Sequence, residues 1–235
     1  MPLTDQEEIP IRTCVIFFVI DTSGSMEGSK IGALNAAIED FIPEIRKIAD
    51  EYDVQIEIAV LGFSTGARWL TANGPVEASQ FNWESPVTEG TTDLGAAYRA
   101  LDEKLSIKAF MQPGGYAPVI FLIMDGEPSD DWKSALAELR ENTWFNAASK
   151  CAIAIGDDVD RDVLKEFTDF MEAVLKTFNI DVLKKVIISS FCINDDDDFE
   201  LSELEPGERH VLRAFNEART KEEKTTSPDT EREEW

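Results

Sequence analysis

Histidine and cysteine are scarce in this chain of 235 residues, and their scarcity restricts its chemistry. There is one histidine, His210, near the acidic C-terminal end. Chemistry that needs a histidine base inside the fold is thereby nearly excluded, and a His-ligated zinc site is excluded as well. The three cysteines lie in apolar surroundings without metal-ligand spacing. We interpret them as packed, reduced thiols of a reducing compartment.

Basic residues are outnumbered by acidic ones, and long apolar runs are absent. The chain has 22 Lys and Arg against 47 Asp and Glu, which gives a formal net charge of −25. DNA and anionic membrane surfaces would be repelled, so we expect neither as a partner; a cation or a basic protein fits this charge better. No stretch of 18 apolar residues and no charged leader with an apolar core is present. We therefore predict no transmembrane span and no signal peptide, and expect a cytoplasmic protein.

The hydrophobic residues, 43% of the chain, form strand-like and helix-like patterns in alternation. Their periodicity predicts strands near 11–21, 54–64, 67–70, 118–125, 150–155 and 173–176, and helices near 30–52, 94–107, 162–167 and 180–191, with a further helix ending near 141. Pro43 lies inside the first helix, where we expect a kink or a local irregularity. Strands that alternate with helices predict an α/β fold, with a doubly wound, mostly parallel sheet flanked by helices.

The two ends of the chain differ in character from its middle. We predict a polar lead-in at 1–10, one α/β domain at 11–193 and an acidic C-terminal tail at 194–235. The tail contains 15 acidic and 6 basic residues. Such a composition predicts partial disorder, with a short helix near 209–224.

A buried strand near the start of the chain ends on a carboxylate. Residues 14–30 read CVIFFVIDTSGSMEGSK, in which Asp21 follows an uninterrupted apolar run. A run of this kind predicts a central strand covered on both faces, and open α/β sheets bind ligands at the carboxyl ends of such strands. Alternate residues of an extended loop point the same way, so Asp21, Ser23 and Ser25 can converge. Their oxygens suit Mg²⁺, Mn²⁺ or Ca²⁺ and not zinc or copper. A plain helix N-cap remains an alternative interpretation.

Two further loops carry oxygen ligands at matching places. Thr91 and Thr92 precede a predicted helix, and Asp125 ends another buried strand. Because parallel strand ends share one edge of a sheet, these groups are expected near Asp21. Two carboxylates and three hydroxyls would supply most of the shell of an octahedral divalent cation, and water would complete it. A domain that binds no metal would need the N-cap interpretation three times at one edge.

Three segments, DTSGS, GTTDLGAA and IMDGEPSDDW, resemble the three parts of the metal-ion-dependent adhesion site (MIDAS) of von Willebrand factor A (VWA) domains. The segment IAIGDDVDRDVL is similar to the next strand, loop and helix of that family. The resemblance covers roughly residues 11–191. The GEPSDDW form is most similar to the bacterial, intracellular TerY-like branch, which is associated with tellurium resistance and stress response.

The resemblance implies five metal ligands: Asp21, Ser23, Ser25, Thr92 and Asp125. Thr92 takes the threonine place of the family's Gly-Gly-Thr loop and Thr91 replaces its second glycine, so the choice between the two threonines stays open. The implied protein is not an enzyme. It is a protein-interaction module whose Mg²⁺ (or Mn²⁺ or Ca²⁺) keeps one coordination position for an Asp or Glu of a partner protein.

The alternative function is a haloacid-dehalogenase-like, Mg²⁺-dependent phosphotransferase with Asp21 as its nucleophile. In that interpretation Gly156-Asp157-Asp158 would be an acidic Mg²⁺ loop. Such chemistry needs an acid/base or a cation beside the nucleophile. The positions that would supply them hold Thr22, where that class has Lys, and Ser23, where it has Asp.

Two hypotheses concern residues outside the ligand set. We interpret Asp130 and Asp131 as residues at the start of the following helix, and a supporting role beside Asp125 stays open. The acidic tail is tethered near a site that would seek carboxylates. We therefore hypothesise that the tail occupies the metal of its own or of a neighbouring molecule.

Overall fold

The computed structural model describes residues 12–156, 159–169 and 171–191, which form one sheet with helices on both faces. Four sequence predictions lie outside these residues: the lead-in at 1–10, the Asp157-Asp158 pair, the helix at 209–224 and the acidic tail at 194–235.

Seven strands form the sheet in the described part of the chain. They are β1 (Thr13–Asp21), β2 (Gln55–Ser64), β3 (Gly66–Trp69), β4 (Val76–Glu77), β5 (Val119–Met124), β6 (Ser149–Ala154) and β7 (Val174–Leu175). Their order is β3-β2-β1-β5-β6-β7, and β4 also pairs with β2. β1, β2, β5, β6 and β7 run parallel, whereas β3 and β4 are antiparallel to β2. The predicted mostly parallel sheet is confirmed.

Six α-helices accompany the sheet within the described residues. They are α1 (Ser29–Tyr52), α2 (Leu94–Lys104), α3 (Trp132–Leu139), α4 (Thr143–Ala147), α5 (Arg161–Thr168) and α6 (Ile180–Ser189). None of the helices described is both long enough and apolar enough to cross a membrane.

β1 lies between β2 and β5, and each of its residues is buried. Successive side chains of a strand point to opposite faces. Ile16, Phe18 and Ile20 accordingly belong to the core beneath α1 and α6, and Phe17 and Val19 belong to the core beneath α2, α3 and α5. Because both faces are covered by helices, the sequence of β1 shows an uninterrupted apolar run and no alternation.

The prediction missed two short elements and misplaced some helix ends. β4 has two residues and α4 has five, which is too short for a periodic pattern to emerge. α4 is instead specified by its cap, since Asn142 Oδ1 accepts hydrogen bonds from the amides of Trp144 and Phe145. The helices predicted to reach 107 and 141 end at Lys104 and Leu139.

α1 runs without a break past Pro43. A proline removes the amide that would bond to the carbonyl four residues earlier, here that of Glu39. Both Glu39 and Pro43 are exposed, so water can satisfy that carbonyl. The opposite face of α1 carries Phe41, Ile42 and Ile45, and their burial holds the helix on the sheet.

Candidate metal centre

Two buried carboxylates lie at the same edge of the sheet. Asp21 is the last residue of β1, and Asp125 directly follows β5, the parallel neighbour of β1. Asp21 is 0% exposed and Asp125 is 1% exposed. Buried carboxylates are costly unless they are paired, hydrogen-bonded or bound to a cation. The partners of these two groups therefore decide what the site can hold.

A chain of hydroxyl groups leads from Ser23 to Asp125. Ser25 Oγ donates a hydrogen bond to Asp125 Oδ1 over 2.8 Å. Ser23 Oγ lies 2.9 Å from Ser25 Oγ. Because the Ser25 proton is used on Asp125, Ser23 must donate to Ser25. The lone pairs of Ser23 Oγ are then left as acceptors toward the site.

Only one of the two carboxylate oxygens of Asp21 has a hydrogen-bond partner among the described residues. Its Oδ1 accepts a hydrogen bond from the Ser23 amide over 2.8 Å, whereas its buried Oδ2 has no partner among the described residues. Burial raises the pKa of Asp21 to about 6; hydrogen bonding from Ser23 lowers it, the negative charge of Asp125 adds a smaller upward contribution, and the Asp125 backbone amide adds a small downward one. An unpaired oxygen of a buried carboxylate is the group that a bound cation would satisfy.

The loop that carries Thr92 is docked against both of these segments. The Gly24 amide donates to the Gly90 carbonyl over 3.1 Å, which joins this loop to the DTSGS segment. On its other side, the Ser129 amide donates to the Thr92 carbonyl over 2.8 Å. The structure therefore brings together at one sheet edge all three segments that the sequence identified.

Thr91 and Thr92, which the sequence left as alternatives, have different surroundings. Thr91 is exposed, and its hydroxyl donates to Asp93 Oδ1 over 3.1 Å and lies 3.1 Å from Thr65 Oγ1. Thr92 is 8% exposed, and its hydroxyl makes no hydrogen bond to any described residue. The Thr91 hydroxyl is thus engaged by neighbouring side chains, whereas that of Thr92 is not engaged by any described residue.

Lys30 belongs to the site, and the sequence reasoning missed it. Its Nζ lies 2.7 Å from Asp125 Oδ2, and its side chain is 31% exposed. A Cβ atom at Gly156 would lie 3.4 Å from Lys30 Cε, so the glycine leaves room for the lysine. One signal was present: Lys30 lies in the first turn of α1, where the helix dipole disfavours a cation unless an anion is near.

Asp130 and Asp131 both cap helices, but not the same helix. Asp131 Oδ1 accepts from the Ser134 amide over 3.3 Å at the start of α3, as predicted. Asp130 instead accepts from the amides of Gly95 and Ala96, at the start of α2, over 2.9 and 3.0 Å. The interpretation of Asp130 as a residue of the following helix start is therefore corrected, because its side-chain partners are distant in sequence; the supporting role left open for it is not affected.

The residues at this edge fit a divalent cation. Asp21 and Asp125 provide two carboxylates, and Lys30 provides the one ammonium that contacts them among the described residues. In the part of the chain described, no group of three or more His, Cys, Asp or Glu side chains is placed so that it could hold a metal ion. A metal here would therefore depend on hydroxyl oxygens, which are hard ligands as carboxylates are.

Gly95 lies where the 129–132 loop meets α2. A Cβ atom there would lie 2.8 Å from Asp130 Oδ2, 2.9 Å from the Asp131 carbonyl and 3.0 Å from Trp132 Cα. We expect Gly95→Ala to lower the free energy of unfolding by about 2 kcal/mol through overpacking, although alanine favours helix. A Cβ atom added at Gly32 in α1 would meet nothing within 4 Å. Gly32→Ala should therefore raise the free energy of unfolding by about 0.5–1 kcal/mol. Urea denaturation of both variants checks this; equal effects would contradict it.

Comparisons with known proteins agree with this architecture. The family model of the von Willebrand factor type A domain matches residues 16–225, and the chain therefore belongs to the VWA family. Domains of this family generally mediate metal-dependent protein interactions through a MIDAS, and they are generally interaction modules and not enzymes. The phosphotransferase alternative is accordingly not favoured. No curated protein matches the chain significantly.

Solved structures with the same fold come from distant proteins. The von Willebrand factor type A protein from Catenulispora acidiphila is 18% identical with a TM-score of 0.52, and the match covers 75% of this chain and 43% of that one. The pilus adhesin SpaC from Lactobacillus rhamnosus GG, in its open conformation, is 14% identical with a TM-score of 0.55 (76% and 29% covered). The chain thus spans less than half the length of these proteins.

A third solved structure of this fold is described with a bound metal. Proximal thread matrix protein 1 from the mussel byssus, described with a zinc-occupied MIDAS motif, is 18% identical with a TM-score of 0.51 (77% and 45% covered). Zinc thus occupies a MIDAS motif in that protein.

Proposed function

We propose that this protein is a metal-dependent protein-interaction module, whose divalent cation receives a carboxylate from a partner. The observation that carries the proposal is the unsatisfied Oδ2 of Asp21, fully buried at a sheet edge beside a second carboxylate. The Ser23 hydroxyl adds lone pairs that no described donor uses. A buried surplus of acceptors is explained by a cation, because an ionised oxygen without any partner would be strongly destabilising.

The proposed ligands are Asp21, Ser23, Ser25, Thr92 and Asp125. The burial of Thr92 and the engagement of the Thr91 hydroxyl by Asp93 support Thr92 as the threonine of the set. In this proposal Ser25 has two roles, since it also orients Asp125 through its hydrogen bond. Mg²⁺ is the proposed resident ion because the set is made of oxygens, and Mn²⁺ or Ca²⁺ could replace it.

When bound, the cation supplies an open coordination position that attracts an anionic group. The chain's own role is to keep three of the five ligands neutral, so that the ion's charge is only partly compensated. Lys30 neutralises part of the negative charge of Asp125, so that less of it is left to compensate the charge of the ion. An Asp or Glu side chain of a partner protein is the expected occupant of that position.

The rim of the site restricts which carboxylate can approach. Each of the three segments carries one exposed glutamate near a proposed ligand: Glu27, Glu89 and Glu127. These side chains repel a uniformly acidic segment and attract basic residues. The proposed partner therefore presents one Asp or Glu flanked by Lys or Arg.

The biological setting is proposed from the GEPSDDW resemblance. We place the protein in a cytoplasmic bacterial system related to the TerY-like branch, with a role in tellurite or other stress resistance. Neither nucleic acid nor membrane is proposed as a partner, since the net charge of −25 opposes both.

Titration calorimetry of Mg²⁺ and Mn²⁺ into chelator-treated protein tests the metal site. We expect one saturable site in the wild type and none in the Asp21→Ala/Asp125→Ala double variant, because both carboxylate ligands are gone. The double variant Asp50→Ala/Asp53→Ala removes the same charge from exposed positions at the end of α1 and should bind as the wild type does. Absence of binding by a folded wild type would contradict the proposal.

The same variants test the interaction. Random peptides selected on immobilised Mn²⁺-loaded protein and eluted with chelator should contain an Asp or Glu beside Lys or Arg. The Asp21→Ala/Asp125→Ala variant should enrich nothing that chelator releases. Enrichment of peptides without a carboxylate would argue against a carboxylate-binding role. Phosphoester hydrolysis that depends on Mg²⁺ and Asp21 would favour the phosphotransferase instead.

A further inference from the structure

We propose that Ser129 and Asp130 are positioning residues that clamp the Thr92 loop to the Asp125 loop and thereby set the affinity of the metal site. This inference rests on the proposed function. It concerns residues that do not themselves touch the proposed ion. The clamp joins α2 and the loop before it to the segment between β5 and α3.

Ser129 makes three hydrogen bonds to the Thr92 loop. Its amide donates to the Thr92 carbonyl over 2.8 Å, and its Oγ accepts from the Thr92 amide over 3.1 Å. The same Oγ donates to Asp93 Oδ1 over 2.9 Å. Both backbone polar groups of Thr92 are thus bonded to one residue, which lies four positions after Asp125. Thr92 cannot shift relative to that loop without breaking them.

Asp130 caps α2, the helix that follows the Thr92 loop, although Asp130 itself lies outside that helix. Its Oδ1 and Oδ2 accept hydrogen bonds from the amides of Gly95 and Ala96 over 2.9 and 3.0 Å. Asp93 occupies the N-cap position of α2, but its side chain makes no capping hydrogen bond to this helix. The Asp93 carboxylate instead accepts hydrogen bonds from the Gly66 amide and from the Ser129 hydroxyl. α2 therefore takes its cap from a residue 35 positions later in the chain.

The close contact at Gly95 makes this clamp tight. The backbone of Asp131 and Trp132 passes so near Gly95 that even a methyl group would have no room. Interiors packed at this density have few alternative arrangements. The two loops are therefore fixed together by five hydrogen bonds and a close backbone contact.

The clamp matters for the metal because the proposed ligands come from separate segments. Ser23 and Ser25 are joined to Asp125 by their own hydroxyl chain. The Thr92 hydroxyl makes no such bond, so its place is set by its backbone. A ligand that is held in place beforehand binds a metal better than one that must be ordered on binding, and groups that support ligands commonly change affinity 10–100-fold.

Mn²⁺ affinity measured by calorimetry in a set of variants tests the inference. We expect Asp130→Ala to weaken binding about tenfold or more, as Thr92→Val should, because each removes one ligand's contribution. The matched control is Asp131→Ala, an adjacent aspartate that caps α3 without joining the loops. It should change affinity less than about twofold. In the Thr92→Val background, Asp130→Ala should have little further effect, since it acts through Thr92.

Hydrogen exchange provides a second readout that needs no metal. In chelator, the amides of Thr92, Gly95 and Ala96 should exchange faster in Asp130→Ala than in Asp131→Ala. Asp130→Asn, which keeps one acceptor oxygen, should restore part of both readouts. If Asp130→Ala does not fold, Ser129→Ala replaces it, because it removes two of the five bonds and keeps the amide bond to Thr92.

The outcomes separate the two proposals. If the wild type binds Mn²⁺ and Thr92→Val loses affinity, but Asp130→Ala and Ser129→Ala match Asp131→Ala, the clamp is overturned and the metal site stands. Additive losses in the double variant would also overturn the clamp, since Asp130 would then act independently of Thr92. If the wild type binds no Mn²⁺, the proposed function falls and this inference with it.

Discussion

Asp21→Asn is expected to stabilise the metal-free protein at neutral pH and to abolish metal binding. The pKa of Asp21 is raised from 3.8 to about 6 because the carboxylate is buried. The folded state therefore holds this proton more tightly than the unfolded state does. The stability that Asp21 contributes is complete below pH 3.8 and is lost as the pH rises through 6.

The size of this effect follows from the two pKa values. The difference between 3.8 and about 6 corresponds to about 3 kcal/mol in favour of the protonated form. Asparagine retains an oxygen for the Ser23 amide, and its amide group can donate to the free lone pairs of Ser23 Oγ. Allowing for imperfect geometry, we expect Asp21→Asn to raise the free energy of unfolding by about 2 kcal/mol at pH 7.5.

Urea denaturation in chelator, at pH 7.5 and at pH 4.5, measures this effect. The advantage of Asp21→Asn should shrink at the lower pH, where wild-type Asp21 is protonated. Asp50→Asn, at an exposed position of α1, should change stability little at either pH. A less stable Asp21→Asn in chelator at pH 7.5 would mean that the Asp21 carboxylate is already well compensated without metal.

Adding metal should reverse the order of the two proteins. A ligand at 100 times its dissociation constant stabilises the folded state by about 2.7 kcal/mol. The wild type should gain this stabilisation with Mn²⁺, and Asp21→Asn should gain none. A variant that is more stable than the wild type without metal and less stable with it would indicate a residue retained for binding and not for folding.

Lys30→Met is expected to tighten metal binding about tenfold at low salt. The Lys30 ammonium lies 2.7 Å from Asp125 Oδ2 and opposes any second cation at this carboxylate. Two unit charges about 4 Å apart interact by about 4 kcal/mol at an effective dielectric constant of 20. The lysine side chain is 31% exposed, so solvent screens part of this and a tenfold change is the reasonable expectation.

Calorimetric titration of Mn²⁺ at low and at high salt checks the effect of Lys30. The gain in affinity should decrease as salt screens the repulsion. Lys47→Met is the matched control, since Lys47 lies in the same helix, pairs with Glu44 and carries the same charge. It should leave affinity nearly unchanged. Weaker binding by Lys30→Met would show instead that Lys30 orients Asp125 for the metal.

The elements around the site were predictable because their signals are local. The apolar runs before Asp21 and Asp125 are strands buried on both faces, and such strands need no long-range information to be recognised. The position of a carboxylate directly after each run then places both at one edge of a parallel sheet. β4 and α4 were missed because they lack such a signal: β4 (Val76–Glu77) contains no apolar run, and the five residues of α4 are too few for a helical period.

By itself, the sequence determined how the main strands and helices alternate along the chain, the two strand-end carboxylates, and the serines two and four residues after the first of them. These features follow from burial and from backbone periodicity within short segments. The tertiary structure decided which groups meet across loops. The family resemblance favoured Thr92 over Thr91 but left the choice open; the structure adds that Thr92 is buried and that the Thr91 hydroxyl contacts Asp93 and Thr65.

Lys30 and Asp130 show most clearly what only the tertiary structure decided. Lys30 pairs with a residue 95 positions away, and Asp130 caps a helix that begins 36 positions earlier, at Leu94. Each residue has a complete local explanation: a lysine in a helix and an aspartate before a helix. Their roles depend on which segments the sheet order brings together, and hydrogen bonds between loops leave no periodic trace in a sequence.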